Sequence, residues 1–202
     1  MIYLALGSNL SGDYADSQQL IAAAIDHLPL CGAHVVARAP LYRSAAVGPK
    51  INGQGQGDYI NTVVAVRGVV PAVALLQRLH ALEAAFGRER RVPWGPRTLD
   101  IDIVSYHDEI HAHGAQIPHP RLAARAFVLY PLRDIAPGWR HPLSGRAIDT
   151  LIQALPTSER LDIQKIYGLS RARKRAKMAK ARFAHQALLA PLSVTRSEQA
   201  NT

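Results

Sequence analysis

The stretch Trp94-Gly-Pro-Arg-Thr-Leu-Asp-Ile-Asp-Ile-Val104 decides the fold class of this chain and indicates its chemistry. Residues 99–106 form an apolar, β-branched run, which predicts a strand. Successive strand side chains point to opposite faces, so Asp100 and Asp102 share one face, about 6–7 Å apart. Two like charges on a buried strand are costly unless a positive group neutralises them. The pattern therefore indicates a cation at this strand.

Magnesium is the cation that suits this pair of carboxylates. It binds through one or two carboxylates and takes its other ligands from water and phosphate. Two such ions would bind the attacking oxygen and the leaving oxygen of a phosphoryl transfer. Arg97 lies just before the strand, where it would meet a phosphate held by the metal. A solvated Asp-x-Asp at a strand end explains the pair alone equally well. Arg97 and the arginine-rich segment upstream favour the phosphate interpretation.

The elements around this strand predict an α+β fold. Periodicity and turn residues give alternating strands and helices. They predict strands over 2–6, 35–43, 58–67 and 99–106, and helices over 16–28 and 71–86. This order is the ferredoxin-like βαββαβ arrangement, an antiparallel sheet with helices packed on one face. A hairpin near 109–117 and a short helix near 147–154 are expected to follow. Residues 48–57 are a glycine-rich loop.

Composition sets the class of protein. At 202 residues with 48% hydrophobic and 19% charged side chains, the chain is ordinary globular protein and long enough for one domain. No apolar run is long enough to predict a membrane span, and no secretory signal is evident. A single cysteine, Cys31, forms no internal disulfide, so we expect a cytoplasmic location. We also expect a monomer.

The net charge of +9 belongs to the C-terminal end of the chain. Residues 165–202 hold nine basic side chains against one acidic one, a net +8, and residues 1–164 hold 15 against 14, a net +1. We therefore expect a domain over 1–160 and a basic extension over 161–202, helical or disordered. The extension has three interpretations: a solvated or disordered tail, a contact to RNA or to a membrane surface, and a helix that docks on the body of this chain or on a partner.

Eight short motifs over residues 1–160 resemble one family, the 6-hydroxymethyl-7,8-dihydropterin pyrophosphokinases of folate biosynthesis. Their order and spacing match, and the block from Trp94 to Asp102 is the most specific. The others are Leu4-Ala-Leu-Gly-Ser-Asn-Leu, Leu41-Tyr-Arg-Ser, Asp58-Tyr-Ile-Asn, Glu83-x-x-Phe-Gly-Arg88, Pro118-His-Pro-Arg-Leu, Arg125-Ala-Phe-Val-Leu and Pro131-Leu.

The resemblance implies an activity and its cofactors. The family transfers the terminal diphosphate of ATP to the pterin hydroxymethyl group and releases AMP, with two Mg²⁺ ions. It implies that Asp100 and Asp102 are the metal ligands, and that Arg88 and Arg97 are catalytic arginines on the phosphates. A planar guanidinium that stays charged suits that task. ATP and the pterin are the expected partners, and a nucleic-acid partner is not expected.

The resemblance also implies two sets of binding residues. The pterin would be bound by Asn61 on its edge and by the rings of Tyr59 and Phe127 on its faces. Trp94 would close over it, and the backbone of Ser44, Ala45 and Val47 would line the pocket. ATP would be bound by Glu83, Arg88, Arg90, Arg91, Arg97, Ile103, His119 and Arg125. Without the resemblance, Phe127 would be a core residue and Glu83 a solvated helix charge.

Two other functions fit part of the sequence. A nucleotidyltransferase would use the same aspartate pair but leaves Asn61, Trp94 and Phe127 without a role. An RNA-binding module on a ferredoxin-like sheet would need exposed aromatic residues on an open sheet face and a basic body. The body is nearly neutral. The pyrophosphokinase activity is therefore the function that the sequence favours.

Overall fold

Strands and helices follow one another as the sequence predicts. The computed structural model describes residues 1–46, 56–89, 95–107, 109–111 and 116–166. In chain order the elements are β1 (Ile2–Ser8), α1 (Ser17–His27), β2 (His34–Arg38), β3 (Leu41–Ser44), β4 (Tyr59–Arg67), α2 (Ala72–Ala85), β5 (Asp100–Tyr106), α3 (Ala126–Ile135), α4 (Ile148–Gln153), α5 (Thr157–Asp162) and β6 (Gln164–Ile166). Short 3-10 turns cover Leu28–Cys31 and Leu122–Ala124.

Local signals fix the ends of the first two helices. Asp16 caps α1, its Oδ1 accepting the Gln19 amide at 2.7 Å, as the capping preference of aspartate predicts. Pro71 stands just before α2. Gly87 follows that helix with a φ of 80°, a left-handed conformation that glycine adopts without strain. Both helices therefore begin and end within a residue or two of the predicted positions.

The strand predicted over 35–43 is two strands. Pro40 lies between β2 and β3, and proline has no N–H to donate to a sheet ladder. The two short strands lie along the same side of the long strand β4, β2 opposite Val64–Arg67 and β3 opposite Tyr59–Asn61. A hairpin near 109–117 is confirmed at its base, where His111 bridges Ile117.

The sheet is antiparallel in every pairing. Its strand order is β5-β1-β4-β3-β6, with β2 also on β4. The four predicted strands thus stand in the order fourth, first, third, second, which is the ferredoxin-like order. β1 is central, pairing with β4 over its whole length and with β5 from Ile2 to Gly7. The predicted α+β class and antiparallel sheet are confirmed.

Helices cover both faces of this sheet. α1 and α2 pack on one face, against side chains such as Leu4 and Ile101. α3 and α4 pack on the other face, against Val63 and Val104. The expectation of helices on one face holds for α1 and α2 only, because the chain after β5 returns across the second face. The open sheet face that an RNA-binding module would use is therefore covered in the described part of the chain.

The sheet continues past the predicted domain boundary. β6 pairs with β3, Leu41 opposite Ile166 and Arg43 opposite Gln164. The boundary at residue 160 stays a prediction, but residues 164–166 belong to the sheet. The rest of the predicted basic extension, residues 167–202, lies outside the described residues, as does most of the glycine-rich loop. No helix in the described ranges is both long and apolar enough to span a bilayer.

Candidate active site

A cavity of about 230 Å³ opens at one end of the sheet, on the face that carries α3. Strands β1, β3, β4 and β5 form its floor, and α3, α5 and two loops form its walls. Its lining is Ala5, Leu6, Gly7, Ser44, Ala45, Tyr59, Asn61, Arg97, Asp100, Asp102, Arg121, Ala124, Arg125, Phe127 and Glu159. The structure thus brings together side chains from across the whole chain, most of them predicted site residues.

The two aspartates lie on one face of β5, as the period of two predicts. The side chains of Asp100 and Asp102 are 23% and 36% exposed, while Ile101 between them is buried in the opposite core. Gly7 and Ala5 stand opposite them on β1. These small neighbours leave space above the carboxylates, so a ligand can approach both.

Asp100 lies between two arginines. Arg88 Nη1 is 2.5 Å from its Oδ1, and Arg97 Nη1 is 2.5 Å from its Oδ2. Burial acts to lower the pKa of Arg97, but Asp100 more than offsets it and the pKa is raised. Two guanidinium groups therefore neutralise this carboxylate and present further N–H donors beside it.

Glu83 supports Arg88 from below. Glu83 is 1% exposed; its Oε1 accepts the Ile101 amide at 2.7 Å and pairs with Arg88. The interpretation of Glu83 as a solvated helix charge is wrong, because its carboxylate is buried between α2 and β5. Its contacts make it a residue that positions Arg88. Direct contact with ATP stays a prediction.

Asp102 faces a second pair of basic groups. Arg125 Nη1 donates to Asp102 Oδ2 at 3.1 Å, and His119 Nε2 is 3.9 Å from the same oxygen. The Nδ1 atom of His119 accepts the Arg121 amide at 3.1 Å, which leaves the proton of the neutral ring on Nε2. Burial lowers the pKa of His119 despite Asp102, so the neutral form is favoured.

The far end of the cavity has an amide and two rings. Asn61 is 4% exposed, and its Nδ2 donates to the buried Ser44 Oγ at 3.0 Å. A Cβ on Gly7 would lie 3.0 Å from Asn61 Oδ1, so only glycine leaves this oxygen undisturbed. Tyr59 from β4 and Phe127 from α3 contribute aromatic rings to the same lining. A flat heterocycle fits such a site by stacking and amide hydrogen bonds.

Asn9 organises the loop that carries Arg97. Its Oδ1 accepts the Arg97 amide at 2.7 Å, and the amides of Asn9 and Leu10 both donate to the Arg97 carbonyl at 3.1 Å. Asn9 Nδ2 also donates to Gln56 and Gly57, each at 3.3 Å. The sequence motif that contains this asparagine predicted no role for it. The end of β1 thus fixes the segment before β5.

Some predicted residues are not brought to the cavity. Ile103 is 5% exposed and belongs to the core with α1 and α2, because it alternates with the aspartates and points to the other face. Its side chain is therefore not a lining residue. Val47, Arg90, Arg91 and Trp94 lie outside the described residues. Six lining residues were not predicted: Ala5, Leu6, Gly7, Arg121, Ala124 and Glu159.

The donor set fits magnesium held jointly with a phosphate ligand. Within the described ranges, no group of three or more His, Cys, Asp or Glu side chains surrounds one point. Two carboxylates on one strand face, with arginines beside them, leave the remaining metal ligands to water and phosphate. This arrangement suits Mg²⁺ that arrives with a nucleotide.

The sequence family accounts for most of the cavity. Residues 3–137 match the family model described as 7,8-dihydro-6-hydroxymethylpterin-pyrophosphokinase (HPPK). The chain belongs to this family. The matched HPPK region includes both aspartates, the arginines and the aromatic wall of the cavity, and it ends before α4, α5 and β6.

Similar proteins carry the same family name. The 2-amino-4-hydroxy-6-hydroxymethyldihydropteridine pyrophosphokinase of Synechocystis sp. is 43% identical over 152 residues, 74% of this chain and 73% of that protein. The Pseudomonas aeruginosa protein of that name is 40% identical over 157 residues, 77% of this chain and 91% of its own. That of Aquifex aeolicus is 35% identical, covering 70% and 84%. The resemblance of this chain to the HPPK family is thereby confirmed.

Solved structures show the same fold at low identity. A crystal structure of a Plasmodium falciparum HPPK-DHPS variant with pterin and p-hydrobenzoate matches with a TM-score of 0.58 at 13% identity. The match covers 83% of this chain and 48% of that one, so the chain spans about half of the longer polypeptide. At this identity the likeness supports the HPPK fold alone.

Proposed function

We propose that this chain transfers the terminal diphosphate of ATP to the hydroxymethyl group of 6-hydroxymethyl-7,8-dihydropterin, in folate biosynthesis. The hydroxymethyl oxygen loses its proton to solvent and bonds to the β-phosphorus, and the bond from that phosphorus to the oxygen that bridges it to the α-phosphorus breaks. AMP leaves with this oxygen, and the pterin keeps the β- and γ-phosphates.

One observation carries the proposal: a single cavity joins a paired-carboxylate end to an amide-and-ring end. Asp100 and Asp102 stand on β5 at one side, and Asn61 and Tyr59 stand on β4 with Phe127 above them. The reaction needs a triphosphate beside metal ligands and a flat alcohol within reach of it. Positioning two substrates in line supplies a large part of such a catalytic effect.

Asp100 and Asp102 would hold Mg²⁺, and two ions are proposed. Bound magnesium would neutralise phosphate charge and polarise the phosphoryl oxygens. The carboxylates are accessible from the cavity, and each is paired with an arginine. The protein's part is to keep both ligands on one rigid strand, so their spacing does not depend on a loop.

The arginines bind the phosphates. Arg88 and Arg97 flank Asp100, and Arg125 stands at Asp102 with the neutral His119 beside it. A guanidinium forks toward two phosphate oxygens at once and stays charged throughout the reaction. Arg90 and Arg91 are proposed as further ATP contacts from the sequence pattern alone.

The pterin lies at the other end of the cavity. Asn61 has one amide N–H committed to Ser44, so its oxygen is the atom that accepts from the ring. Tyr59 and Phe127 would stack on the two faces of the bicycle, each stack contributing about 0.5–1.5 kcal/mol beyond area burial. Trp94 is proposed as a closing residue from the sequence pattern alone.

We place this activity in the cytoplasm, where ATP is supplied, and propose a monomer. One copy of the chain supplies both the aspartates and the aromatic rings of the described cavity, which supports the proposal of a monomer. Light scattering of the purified protein would test the monomer; a mass of twice 22.0 kDa would contradict it.

The decisive experiment measures AMP formation from ATP and Mg²⁺ with and without 6-hydroxymethyl-7,8-dihydropterin. Wild type is compared with Asp100→Asn, which keeps the shape of the side chain and removes its charge. We expect AMP release that requires the pterin and falls by about 100- to 1,000-fold in the variant, the range for removing one group that stabilises transition-state charge.

Asp26→Asn is the matched control. Asp26 is 66% exposed and forms a surface ion pair with Arg38 at 3.7 Å, so its loss leaves turnover unchanged. Release of diphosphate with transfer of AMP would instead identify a nucleotidyltransferase. Absence of any pterin-dependent product from wild type would contradict the proposal.

A further inference from the structure

Glu159 contributes a carboxylate to the cavity lining, and none of the sequence motifs gives it a role. It lies on α5, half-buried, beyond the segment that the family model matches. Asp100 and Asp102 are each paired with an arginine. Within the described part of the chain, Glu159 forms no hydrogen bond or ion pair. Its acceptor oxygens are therefore available to whatever enters the cavity.

The register of the sheet places Glu159 away from the aspartates. β6 runs antiparallel to β3, with Arg43 opposite Gln164, so the chain just before β6 passes the end of β3 at Ser44. β3 and β5 are separated by β4 and β1 in the strand order. Three strand spacings amount to about 14 Å. The segment that carries Glu159 therefore leads into the β3 end of the cavity, and Asp100 lies at the β5 end.

This placement matches the two ends of the proposed substrate. The names of the relatives put an amino group at ring position 2 and the hydroxymethyl group at position 6, on opposite ends of the bicycle. The hydroxymethyl group must face the aspartates, where the phosphates are held. The pyrimidine end, with its 2-amino and ring N–H donors side by side, then points toward β3. A carboxylate accepts two such parallel donors, as it does from arginine.

We propose that Glu159 is a specificity-determining residue that accepts hydrogen bonds from the pyrimidine N–H donors of the pterin. The inference rests on the proposed function. It adds a charged acceptor to the neutral amide oxygen of Asn61, whose own N–H is committed to Ser44. Charge-assisted hydrogen bonds are stronger than neutral ones, so Glu159 favours an amino-substituted ring over one that lacks the amino group.

The fold holds Glu159 in place through the strand that follows it. Lys165 Nζ on β6 lies 3.0 Å from Asp134 Oδ2, and the Tyr42 hydroxyl donates to the same oxygen at 2.7 Å. These contacts join β6 to α3 and β3, the elements that form the wall and floor at this end. The position of α5 is therefore tied to the cavity.

The test compares Glu159→Gln with Asp162→Asn, an exposed neighbour on the same helix that is not in the cavity lining. Both variants lose one negative charge from α5. For Glu159→Gln we expect KM for the pterin to rise about 10- to 100-fold, with KM for ATP unchanged. The unchanged KM for ATP also reports that the variant is folded. Asp162→Asn is expected to match wild type.

A second substrate separates recognition from general disturbance. A 2-desamino analogue of the pterin keeps only the ring N–H donor, so the gap between wild type and Glu159→Gln should shrink to less than about tenfold. An equal loss on both substrates, or an unchanged KM for the pterin, would overturn the inference while leaving the proposed function intact. If wild type forms no pterin-dependent AMP, the proposed function fails, and the inference with it.

Discussion

The guanidinium of Arg97 lies 2.5 Å from the carboxylate of Asp100 on the floor of the cavity. This arginine neutralises Asp100 at the place where the proposed metal ion would also bind. Burial alone would lower the pKa of Arg97, but Asp100 raises it, so the guanidinium stays charged beside this carboxylate. If Mg²⁺ binds together with a nucleotide, Asp100 would contact the metal and Arg97 would contact a phosphate, and these two contacts would replace the ion pair between them.

Removing Arg97 should therefore have opposite effects on metal binding and on turnover. Arg97→Met leaves Asp100 with less counter-charge, so we expect Mn²⁺, as a probe for Mg²⁺, to bind the substrate-free protein more tightly. We expect pterin-dependent AMP formation to fall by about 100- to 1,000-fold, because a proposed phosphate ligand is lost. Paramagnetic resonance of free Mn²⁺ measures the first effect. Arg38→Met, on the surface, is the control; weaker Mn²⁺ binding in Arg97→Met would contradict the exchange.

Glu83→Gln should lower both stability and activity. The buried carboxylate assists Arg88 and the Ile101 amide, so we expect the free energy of unfolding to fall by about 1–3 kcal/mol. Misplacement of Arg88 should cost about 10- to 100-fold in turnover, the range for groups that orient a site from behind. Urea unfolding and AMP release measure the two. Asp149→Asn removes an exposed ion pair and should change neither the free energy of unfolding nor turnover. If Glu83→Gln also left both quantities unchanged, the buried contact would be shown to be unimportant.

Gly7→Ala should impair pterin binding and spare ATP. The added Cβ would lie 3.0 Å from Asn61 Oδ1, which must shift to make room. We expect KM for the pterin to rise about tenfold, equivalent to one weakened hydrogen bond, with KM for ATP unchanged. Gly138→Ala is the matched control, since its Cβ meets nothing within 4 Å. Equal KM values for the pterin in both variants would show that a Cβ at residue 7 does not disturb Asn61.

Acid should destabilise the fold through His141. Burial, and then the nearby Arg146, lower the pKa of His141, and its Nδ1 accepts the Leu143 amide at 3.3 Å. The unfolded chain therefore binds a proton more readily than the folded one. This contribution to stability is complete above the unfolded pKa near 6.5 and is lost as pH falls through the folded pKa.

Urea unfolding between pH 8 and pH 5 measures this dependence. His141→Asn removes the titrating ring, so the variant should be less stable at pH 8 and lose less stability on acidification. His34→Gln, exposed on β2, should follow the wild-type curve. A His141→Asn curve parallel to wild type would assign the acid sensitivity to other groups.

Sequence patterns were sufficient where one element carries the signal. The period of two placed Asp100 and Asp102 on one face, and capping residues located α1 and α2. The break between β2 and β3 was also within reach, since Pro40 interrupts the run and proline is disfavoured inside a strand.

Tertiary contacts were beyond such patterns. Nothing local in Glu83 indicates burial, because its partners come from β5 and from the turn after α2. Asn9 meets Arg97 across 88 positions of the sequence. Glu159 reaches the cavity only because the three-residue strand β6 returns to β3, and so short a strand has too few residues for a period to be recognised.

The pairing of β6 with β3 has a consequence for the boundaries of expressed fragments. Ending the chain at residue 160, where the sequence suggested a domain boundary, would remove Gln164–Ile166 and bare the backbone N–H and C=O groups along Leu41–Ser44. A bared edge of this kind recruits strands from other molecules. Fragments cut before Gln164 should therefore self-associate at high concentration, and those retaining Ile166 should stay dispersed.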